Sequence, residues 1–245
     1  MNKRLDRILT IVETKEHCTI SELAEHFKVS EMTIRRYVNE LSKQKKIIKE
    51  HGGIRRLSNI LSTNEKMVLN VENKRYIGSL MNNCFNDDDV IFLGAGTTFY
   101  YSLASLNKKY KYIITNSIVS FNWLLQNNYP NIYLTGGEIF EKTGEFYGEH
   151  AEKLLDSINI DVAFIATNGV FENNITTSKP ILGRLQSKAI HNAKKSYVLA
   201  DSTKFNYADT YTFATLDRVT GVITDKELTP EILQDYKKYT QIINE

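Results

Sequence analysis

Leu5, Ile8, Leu9 and Val12 recur at helical spacing, so the pattern predicts an amphipathic helix over residues 3–14. Thr19 followed three residues later by Glu22 has the form of a capping box and predicts a second helix, with Leu23, Ala24 and Phe27 as its apolar stripe. Ser30 is a good N-cap for a third helix. There Ile34, Val38 and Leu41 face the core at i, i+4 and i+7, while Thr33, Arg35 and Arg36 fall mostly off that stripe. Two short extended runs, Ile47–Lys49 and Ile54–Leu57, flank His51-Gly52-Gly53 and predict a hairpin, a wing.

Residues 58–73 are polar and lack strong periodicity, which marks a linker between a module at 1–57 and another at 74–245. Beyond it, short apolar runs at 90–93, 112–115, 132–135, 162–166, 197–200 and 221–224 alternate with helical stretches. That alternation predicts an α/β domain: a mostly parallel sheet with helices on both faces.

Charge sharpens the division. Residues 1–57 carry 13 Lys/Arg against 8 Asp/Glu, a net of +5, and the remainder carries 18 against 21, a net of −3. A small basic module on a mildly acidic body suits a nucleic-acid reader carried by another domain. No apolar run is long enough for a transmembrane helix, and the N-terminus lacks the apolar core of a secretory signal. Cys18 and Cys84 have no metal-ligand spacing around them. A cytoplasmic protein without metal, cofactor or membrane contact is the expectation.

Three helices with a tight turn between the second and third make a helix-turn-helix, whose third helix can enter the major groove. Ser30, Glu31, Thr33, Arg35 and Arg36 would then face base edges. Arginine suits this role because its planar fork bonds guanine O6 and N7 together, or a phosphate. Lys49, His51, Arg55 and Arg56 on the wing could meet backbone phosphates. A helical bundle with solvated arginines is the plainer alternative.

In the larger module, V-I-F-L-G-A-G-T-T runs from a strand into a helix. Gly94 and Gly96 would let backbone N–H groups approach an anion, with Thr97 and Thr98 adding hydroxyls. A tight strand-to-helix turn is the alternative. Polar or glycine-rich turns also follow the other strands: Thr115-Asn116-Ser117, Gly136-Gly137-Glu138, Asn168-Gly169 and Asp201-Ser202-Thr203-Lys204-Phe205. In an open parallel sheet ligands bind outside the carboxyl ends of the strands. Asp201 could take sugar hydroxyls and Lys204 could neutralise a phosphate.

The run T-I-S-E-L-A-E-H-F-K-V-S-E-M-T-I-R-R-Y-V-N-E-L, with E-H-G-G after it, resembles the DNA-binding domain of the DeoR family of bacterial regulators. The second module resembles that family's sensor domain through K-R-Y-I-G, G-A-G-T-T, I-T-N-S, L-T-G-G-E, Y-G-E-H-A and A-D-S-T-K-F. The resemblance implies a winged helix-turn-helix joined to a domain similar in fold to sugar-phosphate isomerases. It also implies a repressor of a sugar operon, released from duplex operator DNA by a phosphorylated sugar. The effector set carried over is Gly96, Thr97, Thr98, Asn116, Gly136, Gly137, Tyr147, Gly148, Asp201 and Lys204, beside Gly94 and Lys188; Lys74 is a candidate link to the linker. The sequence departs from the family pattern at Tyr37, where Asp is usual, and at Lys45 and Lys49. In the helix before the fifth strand, Gly183 stands at an expected Glu and Ser187-Lys188 at an expected Lys-Arg pair, so either the register or the pocket differs.

An isomerase or deaminase with an appended DNA-binding domain is the competing function. Asp161, Glu149 and Asp201 are available carboxylates, but His150 and His191 fall in predicted helices, so the expectation is a regulator without catalysis. RNA binding fits poorly without an aromatic platform on a sheet. Helix-turn-helix proteins usually read paired half-sites, so a dimer or tetramer is expected.

Overall fold

A computed structural model describes residues 3–15, 17–43, 47–50, 52–56 and 63–245. The chain divides into two units, Met1–Ile60 and Leu61–Glu245.

The first unit contains α1 (Lys3–Lys15), β1 (His17–Thr19), α2 (Ile20–Phe27), α3 (Glu31–Lys43), β2 (Ile47–Glu50) and β3 (Gly53–Arg56). The Thr19–Glu22 capping box forms: Glu22 N–H donates to Thr19 Oγ1 and Thr19 N–H to Glu22 Oε2. Lys28 takes the left-handed conformation (φ 51°, ψ 49°) that closes α2 and lets α3 start three residues later. Ile8, Leu23, Ile34, Val38, Leu41 and Ile54 fill one core, so the predicted stripes converge. The wing is an antiparallel β2–β3 hairpin. The helical pattern concealed β1, which pairs antiparallel with β3 and makes a three-stranded sheet.

The second unit begins with α4 (Thr63–Met67) and α5 (Val71–Met81), followed by β4 (Val90–Leu93), α6 (Thr97–Leu103), β5 (Tyr112–Thr115), α7 (Ile118–Gln126) and β6 (Ile132–Leu134). A hairpin of β7 (Glu138–Phe140) and β8 (Glu145–Tyr147) leads to α8 (Glu149–Asp156) and β9 (Ile160–Ala166). Then come β10 (Gly169–Phe171), β11 (Asn174–Thr177), α9 (Pro180–Asn192), β12 (Ala193–Leu199), β13 (Tyr211–Thr215), β14 (Gly221–Ile223), α10 (Pro230–Lys237) and β15 (Gln241–Ile243).

Seven strands form one sheet in the order β15-β14-β12-β9-β4-β5-β6, and every neighbouring pair is parallel. Ile91, Leu93, Val162 and Phe164 join Ile77, Met81, Phe99 and Leu124 on one face. Their neighbours Val90, Phe92, Ala163 and Ile165 join Ala151, Leu155, Leu185 and Ala189 on the other. Burial of both faces explains why these strands read as continuous apolar runs. A small antiparallel sheet, β10-β11-β13, stands beside them. The six predicted runs are six of the seven parallel strands; β15, short and followed by polar residues, was missed. No helix of the described residues is long and apolar enough to cross a membrane.

Residues 63–73, expected as linker, are instead largely helical and fastened to this unit. Thr63 donates through its N–H to Lys142 O and through Oγ1 to Thr143 O. Polarity misled the sequence reading, because these residues are held by hydrogen bonds rather than by an apolar stripe.

α5 and α6 cross at Gly78, where an added Cβ would lie 2.5 Å from Ser102 Cα. Backbone cannot yield as a side-chain tip can. Gly78→Ala is therefore expected to destabilise the protein by roughly 1–3 kcal/mol, the usual cost of overpacking. Urea unfolding measures this, and an unchanged midpoint would contradict the tight crossing.

Candidate functional sites

In the first unit, Ser30 caps α3 by accepting from Thr33 N–H at 3.3 Å. Arg35 and Arg36 are exposed, as their spacing predicted. Arg35 Nη2 reaches Glu31 Oε2 at 3.4 Å, a solvent-facing pair of small worth that a competing phosphate or base edge can replace. The departure at Tyr37 acquires a physical meaning. Tyr37 is buried, its hydroxyl accepts from Arg4 Nη1 at 3.3 Å, and the Arg36 guanidinium carbon lies 5.5 Å from its ring centroid. An aromatic face thus orients Arg36 where a carboxylate was expected. Lys49 Nζ donates to Asn39 Oδ1 at 3.0 Å, tying the wing to α3. His51 lies outside the described residues; Arg55 has its backbone in β3, and its side chain is likewise outside them. Met32 was missed: at 80% exposure it stands out on the first turn of α3.

In the second unit, the parallel strands put their carboxyl ends at one edge. Gly96 precedes α6 with φ 148°, and Thr97 and Thr98 are buried in its first turn. Gly94 is a correction. Its N–H donates to Phe164 O at 2.9 Å and is not available to an anion. The glycine is there for space, since a Cβ would lie 3.3 Å from Phe164 O and 3.4 Å from the Phe99 ring.

Asn116 Nδ2 donates to Phe146 O at 3.1 Å, and Phe146 N–H donates back to Asn116 O at 2.7 Å. These bonds dock the β7–β8 hairpin on the end of β5. Gly137 has φ 105° and passes so close to Tyr147 O that a side chain is excluded. Gly148 lies against Glu138, whose Oε2 accepts from the Tyr147 hydroxyl at 3.2 Å. Asn116 Oδ1 and Thr135 Oγ1, at the ends of adjacent strands, are buried and take no hydrogen bond from the described residues.

After β12, Asp201 accepts from Thr203 N–H and from the Thr203 hydroxyl, and from Asn70 Nδ2 at 3.2 Å. Lys204 is half-buried nearby. Lys188 is not part of this edge. Its Nζ pairs with Asp156 at 2.8 Å near the C-terminal end of α9, close to where the strands begin. Gly183 has a packing reason, because a Cβ would lie 2.6 Å from Phe213 Cβ. A glutamate cannot stand there.

Residues 63–70 supply the groups that the sequence reading passed over. Lys66 Nζ donates to Asn168 Oδ1 at 3.0 Å, and Asn168 Nδ2 donates to Asp209 Oδ2 at 2.8 Å. Burial lowers the Lys66 pKa, the Lys204 charge lowers it further, and Glu145, Asp209 and Asp201 oppose both. Burial pushes the Glu145 carboxyl up, against its hydrogen bond from Thr143 and the charge of Lys66. Lys74 is buried on α5, and its Nζ donates to Lys66 O and Leu69 O, both at 2.6 Å. Burial lowers its pKa to about 8, with Asp201 opposing.

Residues 4–59 match the DeoR-like helix-turn-helix domain and residues 69–226 the DeoR C terminal sensor domain. The chain belongs to the DeoR family. Relatives of this DeoR-family chain include the lactose phosphotransferase system repressor of Lactococcus lactis subsp. lactis, 34% identical over 99% of both chains. That of Streptococcus mutans is 33% identical over 99% of this chain and 98% of its own. Ribose 5-phosphate isomerase A from Neisseria gonorrhoeae is a structural neighbour at 16% identity and TM-score 0.42, covering 57% of this chain and 55% of its own.

Lys74 makes a pH prediction for this DeoR-family protein. Its folded pKa of about 8 lies below the ordinary 10.5, so between those values the unfolded chain binds a proton that the folded chain does not. Its contribution to stability therefore rises with pH through that window. Thermal unfolding is expected to show the wild type gaining on Lys74→Met as pH rises from about 8 to about 10. Parallel melting curves across that range would contradict the burial.

Proposed function

We propose that this protein represses a sugar uptake or catabolism operon, binds its operator through α3 and the wing, and leaves it when a phosphorylated sugar occupies the carboxyl edge of the sheet. The observation that carries this reading is the gathering of Lys66, Lys74 and Lys204 with Asp201, Asp209 and Asn168 at that edge. Lysines suit a phosphate, and carboxylates and amides suit sugar hydroxyls. Relatives along the whole chain are named lactose phosphotransferase system repressors, a name that joins a sugar to phosphoryl transfer. We assign no turnover to the site: Asp201 is committed to Asn70 and Thr203, and Glu145 to Thr143, which leaves neither carboxylate poised as a proton acceptor.

In the operator complex, Arg35 and Arg36 read base edges or phosphates, and Met32 lies against thymine methyl groups. Duplexes selected by the wild type from a random-sequence pool provide the probe. Arg35→Ala is expected to lose about 1–3 kcal/mol of affinity for the selected duplex, the cost of one bidentate base contact. Hexose 6-phosphates should weaken wild-type binding about 5–150-fold, a typical coupling. Lys204→Ala should bind the duplex normally and ignore the sugar phosphate. Release of Lys204→Ala at wild-type concentrations would place the effector elsewhere.

A single small reading unit has little surface for specific binding, and such proteins read paired half-sites. The protein is therefore expected to act as a dimer or tetramer held through its second unit. Light scattering at duplex-binding concentrations tests this, and a monomer there would contradict it.

A further inference from the structure

Two arginines of the first unit converge on one buried aromatic side chain. Tyr37 belongs to the core of that unit with Leu5, Ile34 and Leu41 and is 7% exposed. Cations nevertheless address both its polar end and its ring. Arg4 of α1 donates from Nη1 to the hydroxyl, and the Arg36 guanidinium lies over the ring. Both arginines are exposed. Together they hold the Tyr37 phenol below the ordinary tyrosine range: the Arg4 hydrogen bond acts most, burial opposes it, and Arg36 adds to it.

The neighbours Arg35 and Arg36 point to different parts of a duplex. The Arg35 fork reaches back to Glu31 on the first turn of α3, the end that enters a major groove. Arg35 also lines a notch with Asn39, Lys49, Gly52 and Gly53, on the wing side. Arg36 leans instead on the ring of a core residue whose hydroxyl meets α1. That posture turns its fork to the flank of α3 opposite the wing. A helix in the major groove has base edges at the groove floor and a phosphate backbone along each flank.

We propose that Arg4 and Arg36, set by Tyr37 between them, form a seat for a backbone phosphate of the operator duplex on the α1 flank of α3. This rests on operator binding through α3. Three observations carry it. Tyr37 stands where a carboxylate was expected, and a neutral ring orients a guanidinium without cancelling its charge, as a carboxylate would. Among the described residues Arg36 makes no ion pair, whereas Arg35 pairs with Glu31. The two forks come from different helices to one side chain, and their like charges repel. A phosphate offers oxygens to both planar forks and relieves that repulsion.

Tyr37 touches no DNA in this arrangement; it is a positioning residue that sets the angle of both forks. The seat fixes how α3 lies in the groove and carries no sequence information, which leaves the reading of bases to the first turn of α3.

The test measures affinity against salt for the full chain, with the duplex selected by the wild type and single-base variants of it as probes. Each phosphate contact contributes about 0.9 to the slope of log affinity against log salt. Arg4→Ala and Arg36→Ala are each expected to lower that slope by about 1 and to weaken all the duplexes by the same factor. Arg35→Ala should instead flatten the preference at one base pair. Tyr37→Phe keeps the ring and removes the hydroxyl. It should retain the Arg36 share and lose that of Arg4, so that adding Arg4→Ala lowers the slope no further. Tyr37→Asp should lower the slope as well, because its carboxylate neutralises a guanidinium. That variant cuts into the core, and Tyr37→Phe carries the test if it does not fold. If Arg36→Ala changes base preference and leaves the slope, Arg36 reads a base and the seat is overturned. If Arg36→Ala lowers the slope and Arg4→Ala does not, one arginine holds the phosphate and the two-arginine seat is overturned. If Tyr37→Phe leaves the Arg4 share intact, the positioning role of Tyr37 is overturned. If Arg35→Ala, Arg36→Ala and Arg4→Ala all bind as the wild type does, the reading of α3 fails and this inference fails with it.

Discussion

Because β4, β5, β6, β9, β12, β14 and β15 all run the same way, each of the first six is left by a crossover, and every crossover starts at the same edge. Helices must cover both faces, so the strands are apolar on both sides and carry little chemistry of their own. Polar groups are forced to the turns beyond the carboxyl ends. Asn116, Asn168, Asp201 and Lys204, scattered over 89 positions of sequence, come together for this reason alone. The helix dipoles and free amides at crossover starts add to the same edge.

Residues 63–70 lie as a strap across that edge and exploit its geometry. A peptide laid across the ends of parallel strands can touch each turn without inserting into the sheet. Its hold comes from hydrogen bonds, and those have a cost in the form of the buried Lys74 and the half-buried Lys66. Lys74 is satisfied by two backbone carbonyls and serves as the anchor. Lys66 has one neutral hydrogen-bond acceptor, with Lys204 working against its charge and Glu145, Asp209 and Asp201 supporting it. The contrast separates an amine held by the backbone from one set among side chains. Buried charges are otherwise paired or neutralised.

Much of the fold was legible because its signals were local. The capping box, the α3 stripe and six apolar runs each correspond to an interaction within a few residues or to a face buried by rule. β1 was concealed because three residues pair with a strand more than thirty positions away, which no local pattern reports. At the carboxyl edge, the places of Asp201 and Asn116 were legible from their position after strands. Lys66 was not, because a polar stretch with no periodicity reads as linker whether it is free or hydrogen-bonded down. Gly94 was assigned to anion binding by its motif, yet its N–H belongs to the sheet. Lys188 was placed by similarity at the wrong end of a helix that spans from one edge of the sheet to the other. Spacing within a helix does not say which end faces a ligand, and an ion pair with Asp156 does.

Coupling needs more than tight binding, since a ligand with equal affinity for two states shifts neither. Residues 63–70 hold Asn168 through Lys66 and Asp201 through Asn70. A site whose closure and whose ligand compete for the same partners cannot have one affinity in both arrangements. The difference grows with each partner for which a segment and a ligand compete. Typical coupling of about 1–3 kcal/mol is the size of one or two charge-assisted hydrogen bonds exchanged. An exchange of that size needs no rearrangement of the sheet, whose core is packed on both faces.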